Sequence, residues 1–459
     1  MRAQTHRETL TSEMTGGSSV RMTRRQFNAA LSGVGLAVAR RRAAPAAEST
    51  RSAFAPGVAA RTGVSTKVIA GAVAGVLKRH LLTGYLAGAV ALIGRGESAE
   101  VVLIGDQSKE TGEPMRRDSI FRIASMTQAV TAAAALIAID HDLLRPTDTV
   151  SRWLPELDDR HVLRQLSSPL DDTVRARRPV TVQDLLTSRA GLGLVPAPPN
   201  TYPIQRRIDA LQLPGFAPPE PASPLTPNEW LKRVGTLPLM AQPGEQWLYN
   251  TSSCLLGVLL ARLVRRPLPE VLDKLIFRPL GMKDTGFFVP DGKRGRLVSA
   301  YRPEVGRTEL YDGPATSAWR APPAFPDGAA GLVSTADDYF AFSHMLLAHG
   351  LVSGGRLLSE ASTRAMTSDQ LTADQRSAAA AILGPGRGWG MGMSVVTDPP
   401  AAGLPPNAYG WNGGLGTSWI ADPNTGLTAL LLTQTAFTSS APPRVHEDFW
   451  RVVFSPTVL

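Results

Sequence analysis

A long apolar segment, rich in alanine and lying between residues 126 and 140, constrains the fold more than any other part of this 459-residue chain. Its apolar positions recur at intervals of three and four residues, at Met126, Val130, Ala133 and Ile137. This spacing predicts a helix that continues to about Asp140. We expect the body of this helix to be buried and rigid, so that only its first turn can face a cleft.

Ser125 stands at the start of this helix, within the stretch 121–128. In a first helical turn the backbone N–H groups lack partners inside the helix, and the helix dipole favours negative charge. A serine oxygen at this position is therefore suited to act as a nucleophile. A serine at a helix start can also serve only as the N-terminal cap, so the choice between the two roles depends on the rest of the chain.

The positive charge of the chain is concentrated near its N-terminus. The formal net charge is +9, and residues 1–47 contain eight arginines and two glutamates, which leaves a small positive excess for the remainder. Because no basic stripe remains outside the N-terminal segment, the sequence argues against a nucleic-acid partner.

Composition also narrows the class of protein. A length of 459 residues with 43% hydrophobic content allows two to three domains or one elaborate catalytic module. The single cysteine, Cys254, cannot form an intrachain disulfide, and the seven histidines include no H-E-x-x-H pair. No long apolar span is present. The sequence therefore predicts neither a membrane span nor a metal site, and it implies no cofactor.

Hydrophobic periodicity predicts the elements at the two ends of the chain. Residues 67–82 have the pattern of an amphipathic helix, and residues 89–93 and 100–104 that of a hairpin. Three further strands are predicted near the C-terminus, at 389–396, 417–421 and 427–433. A helix and hairpin followed much later by strands indicate an α+β arrangement.

Three short motifs occur in a fixed order along the chain: Ser125-Met126-Thr127-Gln128, Tyr249-Asn250-Thr251 and Asn412-Gly413-Gly414. With the scaffold-like stretches 181–188, 276–285 and 331–338 between them, the chain resembles the serine beta-lactamase and penicillin-binding-protein superfamily from about residue 67 to 435. The resemblance is to its class C-like and esterase branch. That family carries S-x-x-K, Y-x-N and K-T-G or H-x-G at the corresponding points.

The first motif departs from the family pattern, because Gln128 stands where the family has lysine. Residues three apart on a helix are neighbours, and the family's lysine takes or steers the proton of the serine. Gln128 can form a hydrogen bond to Ser125 but cannot accept its proton. We therefore expect weakened activity. The second motif departs as well, and the role of an asparagine two residues after Tyr249 is in doubt.

The resemblance implies a beta-lactamase/transpeptidase-like α+β fold. In that fold a mixed, mostly antiparallel sheet, formed by the N- and C-terminal parts of the chain, is flanked by helices. A largely helical region would be inserted at about residues 140–325, within a catalytic domain of residues 60–459. The active site would lie between the sheet and the inserted region.

The resemblance also implies a set of site residues. Ser125 would attack an ester or amide carbonyl, Tyr249 would act as base and then acid, and Gln128 would complete the catalytic group. The oxyanion hole would consist of the amides of Ser125 and of a residue near Leu415 or Gly416. Substrate-binding positions would be Asn250, Asn412, Gly413, Gly414, Leu415 and Gly416. The substrate would be a small ester, a beta-lactam or a peptide.

Two of these assignments have structural alternatives. A tyrosine beside a helix start is often only a packing residue, and a glycine-rich stretch such as 412–416 is often only a hairpin turn. At position 412 an amide would supply hydrogen bonds without the positive charge that the family places there.

A second hypothesis keeps the fold without the chemistry. The loss of lysine at position 128 favours a protein that binds a peptide or acyl ligand in an inactive cleft, whereas the presence of Ser125 and Tyr249 favours a hydrolase. An α/β-hydrolase with a Ser-His-Asp triad is excluded because the chain has no G-x-S-x-G motif.

The N-terminal segment resembles a twin-arginine export leader. Arg24 and Arg25 precede a mildly apolar run at residues 29–39, and residues 44–46 form a possible cleavage site. Export to the periplasm or exterior is therefore expected. The alternative is a disordered basic tail on a cytoplasmic protein, which Arg40, Arg41 and Arg42 favour.

Residues 195–227 are rich in proline and are expected to contain no packed regular element. So long a loop is either a lid over the cleft or a passive surface segment. Tyr202, Phe216 and Trp230 could line an apolar groove or could pin the loop to the body of the protein.

Overall fold

The computed structural model describes residues 64–216, 218–305, 307–398 and 403–455. The α-helices of these residues are Thr66–Leu82, Thr127–Asp140, Val182–Leu186, Pro203–Ala210, Pro227–Gly235, Thr251–Val264, Leu268–Leu272, Arg278–Leu280, Ala336–Leu347, Glu360–Met366, Ala373–Leu383 and Arg444–Val453. The strands are β1 (Gly88–Arg95), β2 (Ser98–Gly105), β3 (Phe121–Arg122), β4 (His161–Leu163), β5 (Thr173–Arg175), β6 (Ala300–Glu304), β7 (Arg307–Asp312), β8 (Val333–Ser334), β9 (Leu351–Val352), β10 (Gly355–Arg356), β11 (Arg387–Trp389), β12 (Ser394–Val396), β13 (Tyr409–Gly413), β14 (Thr417–Asp422) and β15 (Leu427–Thr433).

One seven-stranded sheet joins the two ends of the chain, in the order β11-β12-β13-β14-β15-β1-β2. All its neighbouring strands are antiparallel. The N-terminal hairpin enters the sheet through the pairing of β1 with β15, in which Ala91 lies opposite Leu431. The predicted fold class, an antiparallel sheet built from both ends of the chain and flanked by helices, is confirmed.

Side chains alternate between the two faces of this sheet. Ala89, Ala91 and Ile93 of β1 pack on one face against the Thr66–Leu82 and Arg444–Val453 helices. Val90 and Leu92 belong to the larger core on the opposite face, which includes the Thr127–Asp140 helix. This helix is buried through Ala138, as the alanine-rich pattern predicted, so it forms a fixed base for the residues that precede it.

Two elements differ from the sequence-based expectations. The segment 195–227 contains the Pro203–Ala210 helix, with Ile204 and Ile208 buried, so the expectation of no packed regular element is wrong. Proline is tolerated at the first helical position, where its missing N–H is not needed. The predicted strand 389–396 is two strands, β11 and β12, which pair with each other around a turn that contains Gly392 at φ +80°.

A buried arginine connects the strand before Ser125 to a distant hairpin. The guanidinium of Arg122, in β3, donates hydrogen bonds to the carbonyl of Val298 and to Ser317 Oγ, and it forms an ion pair with Asp312 at the end of β7. Arg122 is 3% exposed. Breaking a pair this deeply buried leaves one charge without a partner, which costs about 3–5 kcal/mol. Arg122 therefore fixes the β6–β7 hairpin relative to β3.

Within the described ranges, no helix combines the length and the apolar character needed to cross a lipid bilayer. The proposed twin-arginine leader and its cleavage site fall in residues 1–47, outside the described residues, so export stays a prediction from the sequence.

Candidate active site

Ser125 lies in a 3-10 turn, Ala124–Met126, between β3 and the Thr127–Asp140 helix. The serine thus precedes the α-helix by two residues and does not open it. Ala124, immediately before it, has φ +42°, in the left-handed region that residues other than glycine seldom occupy. The ring hydroxyl of Tyr339 donates to the carbonyl of Met126 and Leu332 N–H donates to Thr127 Oγ1, which secures the turn on its inner side.

The second predicted site residue, Tyr249, precedes the Thr251–Val264 helix. Asn250, between them, has φ +83° and ψ −62°, a strained conformation for a residue with a side chain. Asn250 Nδ2 and Thr251 Oγ1 both donate to the carbonyl of Gly215, at 3.1 Å and 2.9 Å. These two bonds maintain the strained turn and attach the proline-rich segment to the residues that follow Tyr249.

The hydroxyl of Tyr249 lies at the centre of the hydrogen-bond network of the site. Trp411 Nε1 donates to it over 2.7 Å, and Ser125 and Gln128 also lie within hydrogen-bonding reach. Burial raises the pKa of Tyr249 to about 12; hydrogen bonds with Ser125, Trp411 and Gln128 act in the opposite direction, and the nearby Asp327 raises it further. Tyr249 is therefore a neutral phenol at pH 7.

Gln128 is fully buried within a network of uncharged groups. Its Nε2 donates to Asn250 Oδ1 and its Oε1 accepts from Ser253 Oγ, both over 3.3 Å. The side chain at position 128 therefore contacts the asparagine one residue after Tyr249. Thr251, at the family's asparagine position, contacts Gly215 instead. Gln128 forms hydrogen bonds with Asn250, Ser253 and Tyr249 but provides no positive charge.

The third motif spans the end of β13 and the turn to β14, so the strand and hairpin interpretations of residues 412–416 both apply. Gly413 sits against the serine turn: a Cβ atom on it would lie 2.2 Å from both the carbonyl oxygen of Ile123 and Thr417 Oγ1. Only glycine allows β13 to approach the turn so closely. This contact brings the strand beside Ser125.

In the side-chain amide of Asn412 the oxygen is hydrogen-bonded and the nitrogen is available. Ser418 Oγ donates to Asn412 Oδ1 over 2.7 Å, and Trp450 Nε1 donates in turn to Ser418 Oγ. Asn412 Nδ2 donates to no acceptor among the described residues, and Asn412 lines the cleft that contains Ser125. Its amide N–H groups can therefore serve a bound ligand.

The backbone amides of Leu415 and Gly416, the two expected oxyanion donors in the turn between β13 and β14, differ in their hydrogen bonding. The amide of Gly416 donates to the carbonyl of Gly413 over 3.0 Å and is therefore occupied. The amide of Leu415 has no acceptor within the described part of the chain. Leu415 also lines the cleft. The geometry thus favours Leu415 over Gly416.

Ser125, Tyr249, Asn250, Asn412, Gly414 and Leu415 line one cleft with a volume of about 520 Å³. Most of its other lining residues are apolar, among them Leu194, Phe216, Pro218, Ile382 and Phe437. Of the three aromatics near the proline-rich segment, Phe216 lines this cleft. Trp230 is fully buried and donates its Nε1 to the carbonyl of Pro214. The segment is thus both attached to the body and part of the cleft wall.

Sequence reasoning missed two residues that bear on the site. Trp411 lies directly before Asn412, and an indole next to a predicted strand motif was a visible signal. Asp327 is buried behind Tyr249, where its Oδ1 accepts from Cys254 Sγ and from the amide of Ala329, at 3.0 Å and 2.8 Å. Its Oδ2 has no partner among the described residues, and burial raises the pKa of this carboxyl group. No sequence motif indicated Asp327.

Across the described residues, no cluster of three or more His, Cys, Asp or Glu side chains has the arrangement of a metal site. The chemistry that the site can perform itself is proton exchange between the hydroxyls of Ser125 and Tyr249, together with hydrogen-bond donation from Gln128, Trp411 and the amide of Leu415.

A family model described as beta-lactamase matches residues 59–448. The chain is 39% identical over 363 residues to the protein named Rv1367c of Mycobacterium tuberculosis, an alignment that covers 76% of this chain and 86% of that protein. It is 32% identical over 387 residues to esterase EstB of Burkholderia gladioli, covering 80% and 91% respectively.

Among solved structures, the chain is similar to one titled EstCE1, a hydrolase with promiscuous acyltransferase activity. The TM-score is 0.71 at 27% sequence identity, and the match covers 85% of this chain and 99% of that one.

Proposed function

The chain belongs to the beta-lactamase family of serine enzymes, and from that premise we propose that it is a serine hydrolase that cleaves esters through an acyl-enzyme at Ser125. The observation that carries this proposal is the hydroxyl of Tyr249, which lies within hydrogen-bonding reach of Ser125, Gln128 and Trp411 at one end of an apolar cleft. The names of EstB and EstCE1, an esterase and a hydrolase with acyltransferase activity, support an ester substrate.

In the proposed acylation step, the phenolate form of Tyr249 takes the proton of Ser125 as Oγ attacks the ester carbonyl carbon. The resulting oxyanion accepts hydrogen bonds from the amides of Ser125 and Leu415. When the tetrahedral intermediate collapses, the bond to the alcohol oxygen breaks and the leaving alkoxide takes the proton from Tyr249. Water, or a second alcohol, then repeats the sequence at the acyl carbonyl and releases Ser125.

In this proposal Gln128 limits the rate of ester hydrolysis. It can donate a hydrogen bond to the oxygen of Tyr249 but supplies no charge to stabilise the phenolate, and the pKa of Tyr249 stands at about 12. The reactive form is therefore scarce at neutral pH. We infer slow turnover compared with a site that has lysine at this position.

The same glutamine supports a second candidate function, a protein that binds an acyl or peptide ligand without turnover. Intact-protein mass spectrometry after incubation with a fluorophosphonate, and separately with a penicillin, tests the choice. The hydrolase proposal expects a covalent adduct that the Ser125→Ala variant does not form. Retained ligand binding without any adduct on the unmodified chain would instead favour the binding protein.

A further inference from the structure

Arg302 lies on β6 of the β6–β7 hairpin, and it lines the same cleft as Ser125. Strand alternation separates it from Tyr301, its neighbour, which is 1% exposed and donates its hydroxyl to Glu110 Oε2 over 2.8 Å. The backbone of Tyr301 also donates to the carbonyl of Gln434 and accepts from the amide of Ala436. Because Tyr301 occupies the inner side, Arg302 lies on the opposite, exposed side of β6, where it lines the cleft.

The guanidinium of Arg302 is positioned by an aromatic ring. It stacks over Tyr311, on the partner strand β7, at 4.0 Å from the ring centroid. Stacking engages the flat face of a guanidinium, and the N–H groups in its plane remain free to donate. The ring of Tyr311 lines the cleft as well. The arginine is thus preorganised, and its N–H groups donate to no acceptor among the described residues.

No carboxylate among the described residues forms an ion pair with Arg302; Glu309, which lies opposite Arg302 in the register of the hairpin, pairs with Arg307 instead. Arg302 is also the single cationic side chain among the described residues that line the cleft, and Glu304, two residues further along β6, is the single acidic one. A planar cation with free donors in a mostly apolar cleft is the arrangement that binds a carboxylate through two hydrogen bonds.

We propose that Arg302 binds a carboxylate of the substrate, so that the preferred esters are monoanionic ones with an apolar segment between the ester and the acid. This inference rests on the proposed esterase function and names its substrate class. It also supplies, from a different element, the positive charge that Asn412 lacks. The carboxylate can belong to the acyl part or to the alcohol part, and the experiment distinguishes the two.

The test compares kcat/KM for matched ester pairs. Mono-4-nitrophenyl adipate against 4-nitrophenyl hexanoate places the acid on the acyl side, and 3-carboxy-4-nitrophenyl hexanoate against 4-nitrophenyl hexanoate places it on the alcohol side. The Ser125→Ala variant gives the background rate. In at least one pair, Arg302→Gln should lower the ratio of anionic to neutral ester by about tenfold, chiefly through KM, with Arg302→Lys between the two.

Two other variants sharpen the result. Glu304→Gln removes a negative charge from the cleft and should raise the same ratio, whereas Arg364→Gln, which changes an arginine paired with Glu360 outside the cleft, should leave it within about twofold. Unchanged ratios in Arg302→Gln, with hydrolysis of 4-nitrophenyl hexanoate retained, would overturn the inference and leave the esterase proposal standing.

A binding measurement covers the case in which turnover is too slow to follow. Calorimetric titration compares the Ser125→Ala protein with the Ser125→Ala/Arg302→Gln protein, using monomethyl adipate and 3-carboxy-4-nitrophenyl hexanoate as ligands. For at least one of the two ligands, the double variant should bind about tenfold more weakly. Equal affinities in the two proteins would refute the role of Arg302. Absence of a fluorophosphonate adduct on Ser125 would refute the esterase proposal separately.

Discussion

The indole nitrogen of Trp411 lies 2.7 Å from the hydroxyl oxygen of Tyr249 and donates a hydrogen bond to it. An indole N–H cannot accept a proton, so the oxygen of Tyr249 is the acceptor whether the phenol is neutral or ionised. The bond becomes stronger when that oxygen carries negative charge. Trp411 therefore stabilises the phenolate in a site that has no cation at position 128.

Replacing Trp411 by phenylalanine should slow ester hydrolysis by about tenfold to a hundredfold, the range expected for one hydrogen bond to a charged group. The pKa of Tyr249 should rise further, which moves the alkaline increase in rate to higher pH. The measurement is the pH–rate profile with 4-nitrophenyl acetate.

Trp389→Phe is the matched control for this variant. Its ring packs 4.9 Å from that of Trp411 and 6.2 Å from that of Tyr249, but its Nε1 has no partner among the described residues. If both variants slow the reaction equally, the effect of Trp411 is packing and not hydrogen bonding.

The rate of the unmodified protein should rise with pH because the pKa of Tyr249 is about 12. Below that value the phenolate fraction increases about tenfold per pH unit, so log kcat/KM should climb with a slope near one through pH 8–10 and reach no neutral plateau. Tyr249→Phe should abolish this slope. A Phe variant that retains the parent profile would show that Tyr249 only packs.

Gln128→Lys should raise the acylation rate at pH 7 by about 10²- to 10⁴-fold, the usual contribution of general acid–base assistance. An ammonium group here would replace Gln128 as the donor to Asn250 Oδ1 and would lower the pKa of Tyr249. Stopped-flow release of 4-nitrophenol measures the change. The isosteric Gln128→Glu variant should act in the opposite direction, because a carboxylate beside Tyr249 raises its pKa. Equal rates in all three proteins would exclude position 128 from proton transfer.

Gly413→Ala should lower the free energy of unfolding by about 1–3 kcal/mol, since overpacking forces the surrounding backbone to shift. The added methyl would meet the carbonyl of Ile123 and Thr417 Oγ1 at 2.2 Å. Gly414→Ala is the matched control, because a Cβ atom there has no neighbour within 4 Å. Urea denaturation of both variants checks this; similar midpoints would mean that β13 can move away from the serine turn at little cost.

The sequence predicted the elements whose pattern is local. The alanine-rich helix, the N-terminal hairpin and the strand at residues 427–433 follow from the spacing of apolar residues. That spacing depends only on whether one face or all faces of the element are buried. The Pro203–Ala210 helix does not follow from the sequence pattern, because a high density of proline argues against a helix even though proline at the first helical position is favourable. The turn within 389–396 was missed because its apolar residues continue through it.

The site could be predicted only in part, for a different reason. Order along the chain indicated Ser125, Tyr249 and Asn412, but contacts between distant segments depend on the packed structure. Asp327 accepts a buried hydrogen bond from Cys254 and acts electrostatically on Tyr249, and Arg302 reaches the cleft from a hairpin that no motif marks. Gln128 likewise contacts Asn250, one residue after Tyr249, and not the residue two positions on, because of a strained turn at Asn250 that no sequence motif indicates.

The buried ion pair between Arg122 and Asp312 bears on how this protein can be recombined with its relatives. The β6–β7 hairpin could be exchanged to alter selectivity, since it lines the cleft and contributes Arg302. Its far end, however, is anchored to the strand three residues before Ser125. A chimera that takes residues 300–312 from this chain and the segment around residue 122 from a parent without an arginine there leaves the buried Asp312 unmatched. Crossover points should therefore keep these two segments together, so that the nucleophile and the selectivity hairpin are inherited as one unit.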